Sequence, residues 1–179
     1  MPIYTDVRQA IRKGALAALS EYPTTPVIFS HSNGTEPAES YVVINILNIV
    51  QQGHHSTSTL VNDNGTLTFQ VAYEVMAQIS FIGSLSGEMS QSFNNNINNN
   101  PLTRLELGRN KLGFMRKSQI RRAPQKRDTK WVEYHNIDVT FSYIVVTNQL
   151  IDSVDGVVIA DETSQIPVII KIPESIIYP

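Results

Sequence analysis

The chain has 179 residues, 14 Lys+Arg against 16 Asp+Glu, a formal net charge of −2 and no cysteine. That length suits one ordinary domain that folds without metals or disulfides, and the missing cysteines exclude disulfide frameworks, zinc ribbons and a thiol nucleophile. No apolar run approaches the roughly 20 residues that span a bilayer, and Met1-Pro2-Ile3-Tyr4-Thr5-Asp6 lacks the basic-then-apolar order of an export signal. The expectation is a soluble protein made in a cytoplasm, with no membrane partner.

In chain order, Val7, Ala10, Ile11, Ala15, Ala18 and Leu19 recur on one helical face. This predicts a helix from Thr5 to Leu19, N-capped by Thr5, favoured at its start by Asp6 and ended by Tyr22-Pro23. Val27 to Ser30 reads as a first strand leading through Asn33-Gly34 and Glu36-Pro37 into a hairpin or loop. Tyr41 to Val50 is apolar on both faces, as a strand covered on both sides would be. Gly53 then places His54 and His55 in a loop, and Asn62-Asp63-Asn64-Gly65 carries a hairpin signal.

From Leu67 to Phe81 apolar and polar residues alternate strictly, which predicts a strand longer than the usual three to ten residues, bent or projecting beyond its sheet. Leu85, Met89, Phe93 and Ile97 predict a second helix capped by Ser84, fraying into the asparagines 94–100. Pro101 to Gly108 reads as one short helical turn with Gly108 as its cap. Leu112 to Arg122 reads as a strand with a polar face, turned by Pro124 and Gln125 to Lys130, and Trp131 to Val145 as a second very long strand. Beyond Leu150 the chain becomes acidic and punctuated by Pro167, Pro173 and Pro179; Val157-Val158-Ile159 and Val168-Ile169-Ile170 could pair with each other or with another chain's edge. The domain organisation expected is therefore 1–150 and an extension arm, 151–179.

Nothing in this order carries catalytic chemistry. No G-x-S-x-G, Walker A, H-E-x-x-H or G-x-G-x-x-G pattern occurs. His31, His54, His55 and His135 lack ligand spacing on a shared rigid element, so they read as loop or strand histidines, with no metal or cofactor expected.

The charge pattern is more telling. Ten bases lie between Arg104 and Lys130 with only Glu106 and Asp128 among them, so this stretch carries +8 and the remainder −10. The basic strand and turn admit three readings. They could neutralise nucleic-acid phosphates, dock on an acidic patch of a neighbouring subunit, or form a solvated face. The second reading has its counterpart in the same chain: Arg116, Lys117, Arg121, Arg122, Lys126 and Arg127 on one side, Asp152, Asp155, Asp161 and Glu162 on the other. Such polarity favours head-to-tail contacts, which close into rings where the rotation permits.

The order of features resembles the tail or neck terminator proteins of long-tailed bacteriophages. It runs VRQAIRKGALAAL, PVIFSHSNGTEP, YVVINILNIVQQG, FQVAYEVMAQISFIG, SLSGEMSQSF, LTRLELG and VEYHNIDVTFSYIV, over roughly residues 5–147. The resemblance implies an α+β fold, a mixed, mostly antiparallel β-sheet flanked by an N-terminal helix and a second helix; the strand patterns add a long projecting β-ribbon, and the chain beyond Leu150, outside the resemblance, a C-terminal extension. The resemblance also implies a non-catalytic virion protein, assembled in the host cytoplasm into a hexameric ring at the neck. That ring would cap the tail tube, end its polymerisation and join it to head-completion or connector proteins. The tube protein and the sheath protein would be its neighbours, and viral DNA would pass through its lumen unread. Another connector, tube or baseplate subunit, or a sequence-independent DNA-binding module, is the alternative.

Overall fold

The computed structural model describes residues 3–31, 34–57, 66–150, 156–159 and 168–171. The order is α1 (Ile3–Ala18), β1 (Val27–Phe29), β2 (Tyr41–Thr57), β3 (Thr66–Ile82), α2 (Ser86–Asn99), α3 (Pro101–Arg109), β4 (Leu112–Lys117), β5 (Arg121–Arg122), β6 (Gln125–Arg127), β7 (Lys130–Val132), β8 (Tyr134–Leu150), β9 (Gly156–Ile159) and β10 (Val168–Lys171). The fold is α+β, as the resemblance implies. Two compact units are distinguished, one of Met1–Ser56 with Gln70–Val146 and one of Thr57–Phe69 with Thr147–Pro179. In the second, β9 and β10 pair antiparallel with Ile159 opposite Val168.

The first unit rests on a mixed sheet ordered β1-β2-β3-β8-β4, with β5 also on β8. The period-two pattern decides which face is covered: Val75, Ala77, Ile79 and Phe81 of β3 and Ile137, Val139 and Phe141 of β8 are buried in one cluster with Val7, Ile11 and Leu19 of α1 and Met89, Phe93 and Ile97 of α2. Alternate residues point to opposite faces, so the helices cover the face of the odd-numbered residues of β3 and β8, and the even-numbered residues of these two strands, Glu74, Gln78 and Asp138 among them, lie on the other. A smaller cluster of Tyr41, Ile82 and Tyr134 sits on that second face.

Several local expectations are corrected. The first helix begins at Ile3, which leaves Thr5 inside the first turn and not at its cap. β1 runs parallel to β2, Val27 opposite Val42, so the two strands do not form a hairpin. The β2 strand continues through His54 and His55, with Gly53 at φ +65°, a conformation that glycine adopts freely. Leu85, not Ser84, stands at the start of α2, with no side-chain cap. The asparagines do not fray: 94–99 are helical, and Asn96 donates to the Ala18 carbonyl at 3.0 Å, tying α2 to the end of α1.

The next helix is longer than one turn. Asn100 accepts the Leu102 amide at 2.9 Å with Pro101 in the first turn, and Asn110, not Gly108, ends it. The predicted strand 112–122 breaks after Lys117, because Ser118 turns to exchange bonds with Asp138. Gln125 to Lys130 is mostly a ribbon, β6 on β7, whose tip is Asp128-Thr129, with Asp128 at φ +52°. The last long strand is interrupted at Glu133, whose carbonyl accepts the Gly83 amide at 3.0 Å.

Candidate assembly interface

About half of the excess charge of the basic stretch is neutralised by carboxylates of its own chain. On the even-numbered face, Arg116 donates to Glu74 at 2.9 Å and to the Thr140 hydroxyl at 3.3 Å, and Gln52 reaches the other oxygen of Glu74 at 3.1 Å. Arg121 pairs with Asp138, which also accepts from Gln78 at 3.2 Å. Arg122 forks onto Glu133 at 2.9 and 2.6 Å. Arg127 bridges Glu36 and the Tyr134 hydroxyl, and Tyr41 donates to the same Glu36. Lys117 donates to the Asn94 carbonyl. Since Glu36, Glu74, Glu133 and Asp138 all lie outside residues 104–130, these four pairs halve the +8 read from the sequence. The pairs lie at the surface, where solvent screens them, so they organise the surface more than they stabilise it.

The structure therefore brings Arg116, Arg121, Arg122 and Arg127 onto carboxylates of the same copy, and leaves Lys126 and Lys130 without an ion pair among the described residues. Asp152, Asp155, Asp161 and Glu162 lie outside the described residues. The single tryptophan was missed as a site residue: Trp131 is 70 % exposed, directly across the ribbon from Lys126. On the other side of the ribbon Val132 packs on Tyr41, Ile82 and Tyr134. The ribbon is thus anchored by its inner face and presents Lys126 and Trp131 outward.

A second feature was invisible in the sequence. Glu21, Tyr22, Pro23, Glu39, Ser40 and Leu85 line a cleft of about 440 Å³. Burial, followed by the charges of Glu88 and Glu21, holds the Tyr22 hydroxyl above its ordinary range. Glu21 accepts only a hydroxyl, Ser92 at 2.8 Å, and neither it nor Glu39 or Glu88 forms an ion pair among the described residues.

Ser86 lies 3.0 Å from His135 Nδ1, but its hydroxyl belongs to a fully buried residue at the start of α2. The contact pins that helix to β8. Among the described residues no three His, Asp or Glu side chains gather as metal ligands, and no helix is long and apolar enough to cross a membrane.

The ribbon's anchor sets a pH window. The Tyr41 bond and the Arg127 guanidinium hold the Glu36 carboxyl below its ordinary 4.5, and Arg122 does the same to Glu133. Burial, reinforced by Glu36, pushes the Tyr41 hydroxyl up to about 12. Depressed carboxyls contribute stability above about 4.5 that is lost as pH falls through their folded values. A raised phenol contributes below about 10 that is lost as pH rises towards 12. Melting temperature should accordingly hold between these limits and fall on both sides. The Trp131 emission should report loosening of the ribbon at the acid edge before far-ultraviolet dichroism changes.

What the described side chains converge on is surface pairing between protein elements, the chemistry of a structural assembly domain. Residues 1–166 match the family model described as phage neck terminator protein, and the chain belongs to that family. It is a structural protein of the bacteriophage neck, associated with tail and head components in the virion. The match extends well past residue 147, where the sequence resemblance stopped. No curated protein matches the chain. One solved structure aligns with 86 % of this chain and the whole of its own at 15 % identity and a TM-score of 0.37, too slight a likeness to carry an argument.

Proposed function

We propose that the protein closes into a hexameric ring at the head-proximal end of the tail, caps the tube, stops its polymerisation and joins it to the head-completion proteins while DNA passes through the lumen. The observation that carries this reading is the neck-terminator match over residues 1–166. The surface chemistry supports it, since unpaired positive and negative charge lie on separate features of one chain, the condition for head-to-tail contact. Because Arg116, Arg121, Arg122 and Arg127 are engaged by carboxylates, a phosphate-reading module is the weaker alternative; such a module holds its cations free for counterion release. The C-terminal residues 151–179 act as an arm clasping a neighbour, and Asp152, Asp155, Asp161 and Glu162 are its candidate contacts. Catalysis, cofactors and metals play no part.

The test is mass by light scattering with negative-stain imaging, with and without tail tubes. A six-fold ring of six chain masses is expected, and a monomer under both conditions would overturn the reading. Deleting residues 152–179 should weaken assembly, and unchanged rings would remove the arm from the proposal.

A further inference from the structure

We infer that the outward face of the β6–β7 ribbon, Trp131 with Lys126, is the plug of a copy-to-copy contact and that it seats in the Glu21/Glu39 cleft of a second copy. The inference rests on the self-assembly reading above and deepens it by naming the surfaces. It starts from the residual charge. Once intramolecular pairs are set aside, the ribbon keeps Lys126 and Lys130 beside Asp128, and the cleft keeps Glu21 and Glu39.

Shape agrees with charge. Trp131, 70 % exposed on a two-stranded ribbon whose inner face is already committed to Tyr41, Ile82 and Tyr134, is a large apolar group on a convex support. The cleft is concave, of a size suited to a ring-shaped group, and offers Tyr22, Pro23 and the 42 % exposed Leu85 to an indole and two carboxylates to the ammonium across from it. Tryptophan is among the residue types most enriched at interface hot spots. No ribbon residue lines the cleft of its own copy: Ala38, Glu39 and Ser40 line it, and the same residues border a separate pocket with Arg127 and Val132 of the ribbon. The neighbour's segment around Asp152 to Glu162, whose acidic residues lie outside the described ones, is the rival receptor; the cleft is favoured because it offers charge and concavity together.

Because Trp131 is the only tryptophan, the full-length chain reports the contact itself. On self-association its emission should shift to the blue and its quenching by iodide should fall. Trp131→Ala should weaken association about thirtyfold or more, the hot-spot threshold, with the melting temperature of the monomer unchanged. Lys126→Glu and Glu39→Lys should each weaken it, and the two together in one chain should restore it. Wild-type assembly that is indifferent to all three changes overturns the plug and leaves the ring reading intact. Assembly lost only when Asp152, Asp155, Asp161 and Glu162 are neutralised assigns the receptor to the arm and overturns the cleft. A particle of two copies with the expected sensitivities keeps the contact and overturns the ring. A wild-type chain that never associates, even on tail tubes, overturns both.

Discussion

Replacing Phe81 with alanine is expected to lower the unfolding free energy by about 3–5 kcal/mol, the range for deleting a buried phenyl ring and leaving its cavity. Phe81 is fully buried at the end of β3, and its ring centroid lies 5.4 Å from that of Phe93 with the planes tilted by 57°. The pair seats α2 on the sheet, and no nearby side chain is free to collapse into the space, since Met89 and Ile79 are themselves buried in the same cluster. With total stabilities of about 5–15 kcal/mol, the variant would retain little margin. Urea titration should move the midpoint down with an unchanged slope. Phe81→Leu, closer in volume, should cost far less. A loss below about 1 kcal/mol for the alanine variant would mean that α2 is not seated on Phe81.

The two long strands and the first helix were legible because each carries a period the physics enforces. In β3 the odd positions from Val75 to Phe81 are all buried and the even ones carry Glu74, Gln78 and Ser80. One face in and one face out is the condition under which alternation marks a strand. What failed were boundaries and short elements, where a non-local bond overrides local preference. Nothing in Leu112 to Arg122 announces the break after Lys117, since it follows from Ser118 exchanging bonds with Asp138, twenty positions away. The parallel setting of β1 was equally hidden. Asn-Gly and Glu-Pro mark a turn, yet they do not say whether the returning strand pairs back antiparallel or crosses over. The α3 helix was readable in principle, because an asparagine before a proline is a helix start; the run of asparagines before it obscured the signal.

The charge segregation was legible in the sequence, but its meaning changed in three dimensions. Counting along the chain assigns Arg121 and Arg122 to a basic block, while the fold lays β5 against β8 so that Arg121 faces Asn136 and Arg122 faces His135, within reach of Asp138 and Glu133. Arg127 finds Glu36 ninety-one positions away. Pairing of this kind depends on topology, which no one-dimensional charge count contains. The consequence is a smaller set of cations without an ion pair among the described residues, Lys126 and Lys130 of the ribbon among them, and beside these an exposed tryptophan that the alternation pattern had placed at the start of the last long strand. The cleft was illegible for a different reason: its carboxylates, Glu21 and Glu39, come from two loops separated by β1 and unremarkable in composition.

Gly83→Ala is expected to destabilise the protein by about 3 kcal/mol or more, through two penalties that do not share a remedy. Gly83 takes φ +106°, a region that side-chain-bearing residues enter only at a cost of about 1–3 kcal/mol. A Cβ built there would also lie 2.8 Å from the Ser40 Cα and 2.6 Å from its Oγ, so backbone and not a pliant side-chain end would have to move. Ser40 is poorly placed to yield. Its hydroxyl accepts the Leu85 amide at 3.1 Å, holding the approach to α2, and the next residue, Tyr41, anchors the second core. Relaxing the backbone at 83 instead would break the 3.0 Å bond from its amide to the Glu133 carbonyl, which fixes the junction of β7 and β8. Either route loosens the ribbon's base. The variant should therefore show both a lower urea midpoint and weakened self-association, whereas Trp131→Ala should show only the second. A Gly83→Ala protein with wild-type stability would refute the close approach of Ser40 and with it the rigid mounting proposed for the ribbon.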